Sequence, residues 1–114
     1  LTVREFETGA TRDNDAGKLD FEAFFSPLVM EAMAEYMHQH RTMKDGTVRP
    51  GDNWQKGIPQ NEYMKSGWRH FFDWWKLHRG LTARDTLVHA ICGVLFNAQG
   101  YLHEHLKAQK PPAT

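Results

Sequence analysis

The stretch Trp68-Arg69-His70-Phe71-Phe72-Asp73-Trp74-Trp75 decides how this chain is read. It holds three of the four tryptophans and two of the seven phenylalanines, with an arginine, a histidine and an aspartate set among them. Aromatic surface of this extent belongs in a core, whereas ionisable side chains are rarely buried without partners. At about 100° per residue, Met64, Trp68, Phe71, Phe72 and Trp75 share one helical face, and Ser66, Arg69, His70 and Asp73 fall on the other. The expectation is a helix with an aromatic core side and a polar side that carries the site.

Around this helix the spacing predicts two more. Ser26-Pro27 is a helix start, with serine as N-cap and proline in the first turn. Leu28, Ala32, Met33, Tyr36 and Met37 or His40 recur at helical spacing to about His40, and Phe21, Phe24 and Phe25 form a short preceding turn. Asp45-Gly46 and Pro50-Gly51-Asp52 are turn signals, so residues 41–58 form a loop closed by Asn53-Trp54-Gln55-Lys56-Gly57. The central helix starts near 59–61 and ends around 78–80, with Gly80 just past its end. Thr82-Ala83-Arg84-Asp85 resembles a capping box opening a last helix to about Lys107. Its expected core stripe is Val88, Ile91, Cys92, Leu95, Ala98, Leu102 and Leu106. A second stripe holds Asp85, His89, Phe96 and His103, flanked by Gly93 and Gly100, which would admit a closely packed helix or ligand. No strand-length alternation is present. The fold class is therefore all-α: a compact bundle of three long helices plus one or two short ones. Residues 1–20 form an irregular N-terminal strap, 21–107 a single helical domain and 108–114 a flexible tail. The strap reads either as a disordered arm or as a cover that brings Arg12 and Lys18 to an anion.

The 114 residues suffice for one domain with a modest core. Fourteen basic side chains balance fourteen acidic ones, which disfavours binding to a DNA or RNA duplex. No apolar run reaches the roughly 20 residues that cross a bilayer. A single cysteine, Cys92, excludes an intrachain disulfide and a thiolate-rich zinc site. Together these suggest a cytoplasmic setting without membrane partners. Three helices leave much aromatic surface uncovered, so a homo-oligomer is expected.

Three groups of residues could carry chemistry. Asp85 and His89, four apart, suit two ligands of one metal or a carboxylate orienting an imidazole; each also has a structural reading, as a cap and a core histidine. Arg69 and Asp73 are spaced for an intrahelical ion pair, while Arg69 could equally grip a phosphate and His70 act as acid, base or ligand. The cations Arg12, Lys18, Lys56 and Arg79, in the company of glycines and Trp54, permit a nucleotide site in which the indole stacks on a base. Glu31 and Glu35 form either a Mg²⁺ pair or a solvated face. Walker A, dinucleotide-fold and nucleophile-elbow motifs are absent.

Four blocks resemble a small helical domain common in phage genomes. They are Gly9-Ala10-Thr11-Arg12-Asp13 with Gly17-Lys18-Leu19-Asp20; Asp52-Asn53-Trp54-Gln55-Lys56-Gly57; Trp68-Arg69-His70 with Trp74-Trp75; and Asp85 and His89 followed by Asn97. Together they are similar to the N-terminal domain family of the dATP/dGTP diphosphohydrolases. The resemblance implies hydrolysis of a purine deoxynucleoside triphosphate to monophosphate and pyrophosphate with Mg²⁺, in the host cytoplasm if the chain is phage-encoded. On that basis Arg12, Lys18, Lys56 and Arg69 are expected on the phosphates and Trp54 on the base. Asn53 and Asn97 complete the nucleotide-binding set. Asp85 and His89 are expected to hold the metal, with His70 and Asp73 as catalytic groups. The Glu-x-x-Glu and Glu-x-x-Asp set of the all-α nucleotide pyrophosphohydrolases has no counterpart, since Glu31 and Glu35 are spaced differently. Two alternatives stand beside hydrolysis: a non-catalytic binder that sequesters a host signalling nucleotide, and a purely structural helical oligomer.

Overall fold

The computed structural model describes residues 3–14 and 16–109. In chain order these form β1 (Val3–Glu5), β2 (Thr11–Asp13), α1 (Phe21–Phe24), α2 (Pro27–Gln39), a 3-10 turn (Asn53–Lys56), α3 (Gln60–His78) and α4 (Leu87–Gln109). The molecule is mostly helical, as its spacing predicts. The strap is not wholly irregular, however: β1 and β2 pair antiparallel, with Arg4 opposite Arg12. Both strands are exposed throughout, and strands this short, without a buried face, carry no alternation for a sequence to reveal. Part of the tail expected from 108 onward is the end of α4, and residues 110–114 lie outside the described residues.

Local signals fix the helix ends. Ser26 Oγ accepts from the Val29 amide (3.3 Å), and Pro27 occupies the first turn. At the end of α3, Leu81 N–H donates to the Lys76 carbonyl and Gly80 N–H to that of Leu77, with Gly80 at φ 77°. This is a Schellman closure, and glycine is favoured at that left-handed position. The start of α4 is later than the capping-box pattern suggests. Thr86, rather than Thr82, caps it: its Oγ1 accepts from the His89 amide (3.2 Å) and its carbonyl from Ala90 N–H (2.9 Å). Asp85 therefore precedes the helix.

α3 and α4 form an antiparallel hairpin, and α2 packs on α4. The side α3 turns to this interface is the reverse of the expected one. Met64, Trp68, Phe71, Phe72 and Trp75 are all exposed, whereas Tyr63 and Asp73 are buried and Ser66, Gly67 and His70 half-buried. On α4 the predicted core stripe is likewise mostly outside. Val88, Leu95, Ala98, Leu102 and Leu106 are exposed, Cys92 is buried, and Gly93, Asn97 and Gly100 form the inner face.

Close approach explains the inversion. A methyl group added to Gly93 would fall within the His70 imidazole, and one added to Gly100 within the Tyr63 ring. Flat rings on α3 thus lie directly on α4 backbone, a geometry that bulky branched side chains would prevent. Gly93→Ala and Gly100→Ala are each expected to destabilise the protein by about 1–2 kcal/mol. The cost is overpacking of about 1–3 kcal/mol, less up to about 1 kcal/mol gained in helix propensity. Urea denaturation midpoints read the change.

Among the described residues the buried apolar side chains are few: Tyr36, Tyr63, Ala90 and Cys92. The Cα radius of gyration is 19.6 Å, against about 13 Å for a rounded domain of this length. The helical part is a hairpin of α3 and α4 with α2 against α4, and β1 and β2 contact chiefly each other. Among the described residues no helix is long and apolar enough to cross a membrane.

Candidate functional site

The inward polar side of α3 meets α2 and α4 at one place, around Tyr36. This ring is buried and sits edge-on to His70 (centroids 6.4 Å apart) and His89 (5.7 Å), with His40 4.2 Å away. His40 Nδ1 donates to the Tyr36 carbonyl (2.8 Å), which holds the imidazole at the end of α2. Burial, then the nearby Asp85 carboxylate, raises the Tyr36 phenol above its usual value, so the hydroxyl keeps its proton.

Beside this cluster a cleft of about 300 Å³ opens between the end of α2, the 41–54 loop, α3 and α4, within the size range of small-ligand sites. Its deep side carries Tyr36, Ser66, His70 and Asn97, and its rim carries His40, Arg41, Arg49, Asn53 and Trp54. The loop is built to place the two arginines together. Arg49 N–H donates to the Arg41 carbonyl (2.9 Å), Arg41 Nε donates to the Arg49 carbonyl (2.8 Å), and Thr42 bridges to Val48. The turn between closes with Gly46 at φ 87°.

Trp54 is held from the other end of the cleft. Its indole packs edge-on against His103 (4.8 Å) and Phe96 (6.1 Å) of α4. The chain after it is tied down by Glu104, which accepts from Ile58 N–H (3.3 Å) and pairs with Lys107 (2.8 Å), while Lys107 Nζ donates to the Gln55 carbonyl. The bond from Lys107 holds the Glu104 carboxyl below its ordinary value.

Of the site residues expected from sequence, His70, Asn53, Trp54 and Asn97 come together in this cleft. Asn97 is buried, and its Nδ2 donates to the Gly93 carbonyl (2.7 Å) of its own helix. Asp73, Asp85 and His89 do not line the cleft, although His89 belongs to the Tyr36 cluster. Asp73 does not pair with Arg69; it binds Arg84 Nε at 2.6 Å, reaching across to the α3–α4 connection. Asp85 Oδ1 lies 3.3 Å from His89 Nδ1. Arg12, Lys18, Lys56 and Arg69 are exposed and do not line the cleft: Arg12 is on β2, Lys18 follows the turn at Gly17, Lys56 ends the 3-10 turn, and Arg69 faces outward from α3. Ser66, on the polar side of α3 expected to carry the site, also lines the cleft, whereas the cations Arg41 and Arg49, with Tyr36 and His40, were not among the expected site residues. Their sequence signal was the break in helical spacing at Arg41 and the Arg49-Pro50-Gly51 turn, which place one arginine at each foot of a tight loop.

Among the described residues no three His, Cys, Asp or Glu side chains gather into a metal-binding group. Asp73 is engaged with Arg84, and Asp85 lies beside His89. Mg²⁺ is ordinarily held by one or two carboxylates together with substrate phosphates rather than by an all-protein cage. The Cys92 thiol is buried, and burial raises it above its ordinary value, which leaves it a core side chain rather than a nucleophile.

His70 is the titrating group at the base of the cleft. Burial, then the Arg84 guanidinium, lowers its proton affinity below the ordinary value of 6.5; Asp73 and Asp85 oppose this, and His40 adds to it. Its Nδ1 is buried without a hydrogen-bond partner. The unfolded chain therefore takes up this proton at a higher pH than the folded chain. This contribution to stability is complete above about pH 6.5 and is lost as pH falls through the folded-state value. Urea midpoints between pH 8 and 5 should decline in the wild type. They should decline less steeply in His70→Phe, which keeps a ring over Gly93 and removes the proton site.

The fold is thus a helical hairpin that carries a cleft lined by arginines, imidazoles and an indole. Residues 8–110 match the family of dATP/dGTP diphosphohydrolase N-terminal domains, and the chain belongs to that family. No curated protein and no solved structure matches the chain.

Proposed function

We propose that the cleft bounded by Arg41, Arg49 and Trp54 binds a purine deoxynucleoside triphosphate, in the service of its hydrolysis to monophosphate and pyrophosphate. The observation that carries this is the joining of two arginines at one rim with an indole at the other. Guanidinium groups bind phosphate oxygens through paired, charge-assisted hydrogen bonds, and an indole offers a base its π-face. His40 and His70, at the rim and floor, supply further donors. The family name indicates the substrate class. Mg²⁺ would enter as the counter-ion of the triphosphate, because the side chains around the cleft do not form a cage for it.

A second reading, binding without cleavage, is favoured by the commitment of Asp73 to Arg84 and of Asp85 to His89. One experiment separates the two. The protein is titrated with each deoxynucleoside triphosphate, with and without Mg²⁺, while melting temperature and released pyrophosphate are followed. Purine triphosphates should raise the melting temperature by mass action and yield pyrophosphate. Arg49→Ala should weaken binding by about tenfold, the worth of one charge-assisted hydrogen bond. A melting shift with nucleotide recovered intact would select the second reading. No shift with any purine nucleotide would sink both.

A further inference from the structure

The two ends of the cleft do not choose a base. An indole offers its face to every base, and arginines bind any triphosphate. Selection falls to the polar floor between them, where Tyr36, Ser66, His70 and Asn97 lie.

The floor has two levels, set by how α3 crosses α4. At one level the His70 ring lies on Gly93. Tyr36 stands beside His70 and next to His40, toward the arginine rim. One turn away Gly67 faces Asn97; a Cβ on Gly67 would lie 3.4 Å from the Asn97 Cβ. Ser66 neighbours Gly67, and the Trp54 indole packs on Phe96, the neighbour of Asn97. Asn97 and Ser66 are therefore the floor groups level with the indole.

The Asn97 amide is set for one role. Its residue is 5% exposed, and its Nδ2 donates to the Gly93 carbonyl (2.7 Å). Turning the amide over would break this bond and set oxygen against oxygen, so Oδ1 is a fixed acceptor. Among the described residues nothing donates to it, although buried polar groups are ordinarily bonded. Ser66 differs, because a hydroxyl donates or accepts by turning. Its Oγ also has no partner among the described residues.

We propose that Asn97 and Ser66 read the amino edge of the purine, a role that rests on the purine-triphosphate reading of the cleft. Adenine and guanine both carry an exocyclic amine, and both amines donate. They differ at N1, which accepts in adenine and donates, as N1–H, in guanine. Asn97 Oδ1, the fixed acceptor, takes the amine common to both. Ser66 Oγ, the group that turns, answers N1 in either form. The amine precedes N1 along one purine edge and follows it along the other, so the two bases present opposite faces to Trp54, which stacking allows. A purine without the amine is disfavoured, because it leaves Oδ1 buried and unpaired.

Isothermal titration without Mg²⁺ tests the assignment on two matched pairs. dGTP is compared with 2′-deoxyinosine triphosphate, which lacks only the 2-amine. dATP is compared with purine 2′-deoxyriboside triphosphate, which lacks only the 6-amine. In the wild type each loss should weaken binding about tenfold, the effect of one buried acceptor left unpaired. In Asn97→Ala, shown to be folded by its melting curve, the members of each pair should bind alike. Ser66→Ala should weaken dATP and dGTP to the same extent, about threefold, and keep the preference for the amine. Equal affinities within both pairs in the wild type overturn the inference, whether or not Asn97→Ala folds. So does an amine preference that survives Asn97→Ala. In both of those cases purine triphosphates still bind, and the reading of the cleft stands. Absence of binding by all four would remove that reading together with this one.

Discussion

Arg84→Met is expected to destabilise the domain by about 2–3 kcal/mol. The argument starts from the inequality of the partners. Asp73 is 3% exposed on the inner face of α3, whereas the Arg84 side chain is 56% exposed in the connection to α4. They meet at 2.6 Å. Methionine keeps the apolar stem and removes the guanidinium, leaving a carboxylate in a site that excludes water. Breaking a fully buried pair costs about 3–5 kcal/mol; the exposure of Arg84 lowers this, since water already shares in its solvation. Asp73→Asn leaves an amide that can still accept from Arg84, and no buried charge, so its loss should be nearer 1 kcal/mol. The order of the two urea midpoints is the diagnostic. If Arg84→Met and wild type coincide, the pair does not hold the connection to α3.

Trp54→Ala is expected to act on two observables at once. A fully buried tryptophan costs about 3–5 kcal/mol on truncation; Trp54 is half-buried on His103 and Phe96, so about 2 kcal/mol of stability should be lost. Base stacking on an aromatic ring is worth about 1–3 kcal/mol, which predicts at least a fivefold loss of affinity for a purine triphosphate, measured well below the melting transition. Trp54→Phe should recover most of both. A variant with lowered stability and undiminished affinity would reduce Trp54 to a cap over α4 and remove the base from that end of the cleft.

The start of α2 and the end of α3 were legible from sequence because Ser26-Pro27 and Gly80 act within a few residues; the start of α4 was not, since Thr86 rather than Thr82 caps it. The inward faces of α3 and α4 were not legible either, although the stripe of Ala32, Met33, Tyr36 and Met37 on α2 was. Hydrophobic periodicity finds the apolar stripe correctly and assumes that it is buried within the same chain. Trp68, Phe71, Leu95 and Leu102 break that assumption, because Gly93 and Gly100 let the imidazole and phenol rings opposite them form the inner contact. The family was legible because its blocks are contiguous. The arginines of the cleft were not, because Arg41 and Arg49 are united across a loop by one backbone bond and one bond from the Arg41 side chain to the Arg49 carbonyl. The isolated cations chosen from sequence sit elsewhere on the surface.

The ring-over-glycine contacts also restrict how the sequence can drift. Tyr63 and Gly100 fill one space, as do His70 and Gly93, so neither member of a pair is free to change size alone. Enlarging the glycine collides with the ring, and shrinking the ring opens a void over bare backbone. Descendants of this chain should therefore either keep both pairs or exchange them jointly, a smaller residue at 63 accompanying a larger one at 100. Positions 63 and 100, 37 residues apart in the chain, would then mutate as a single character.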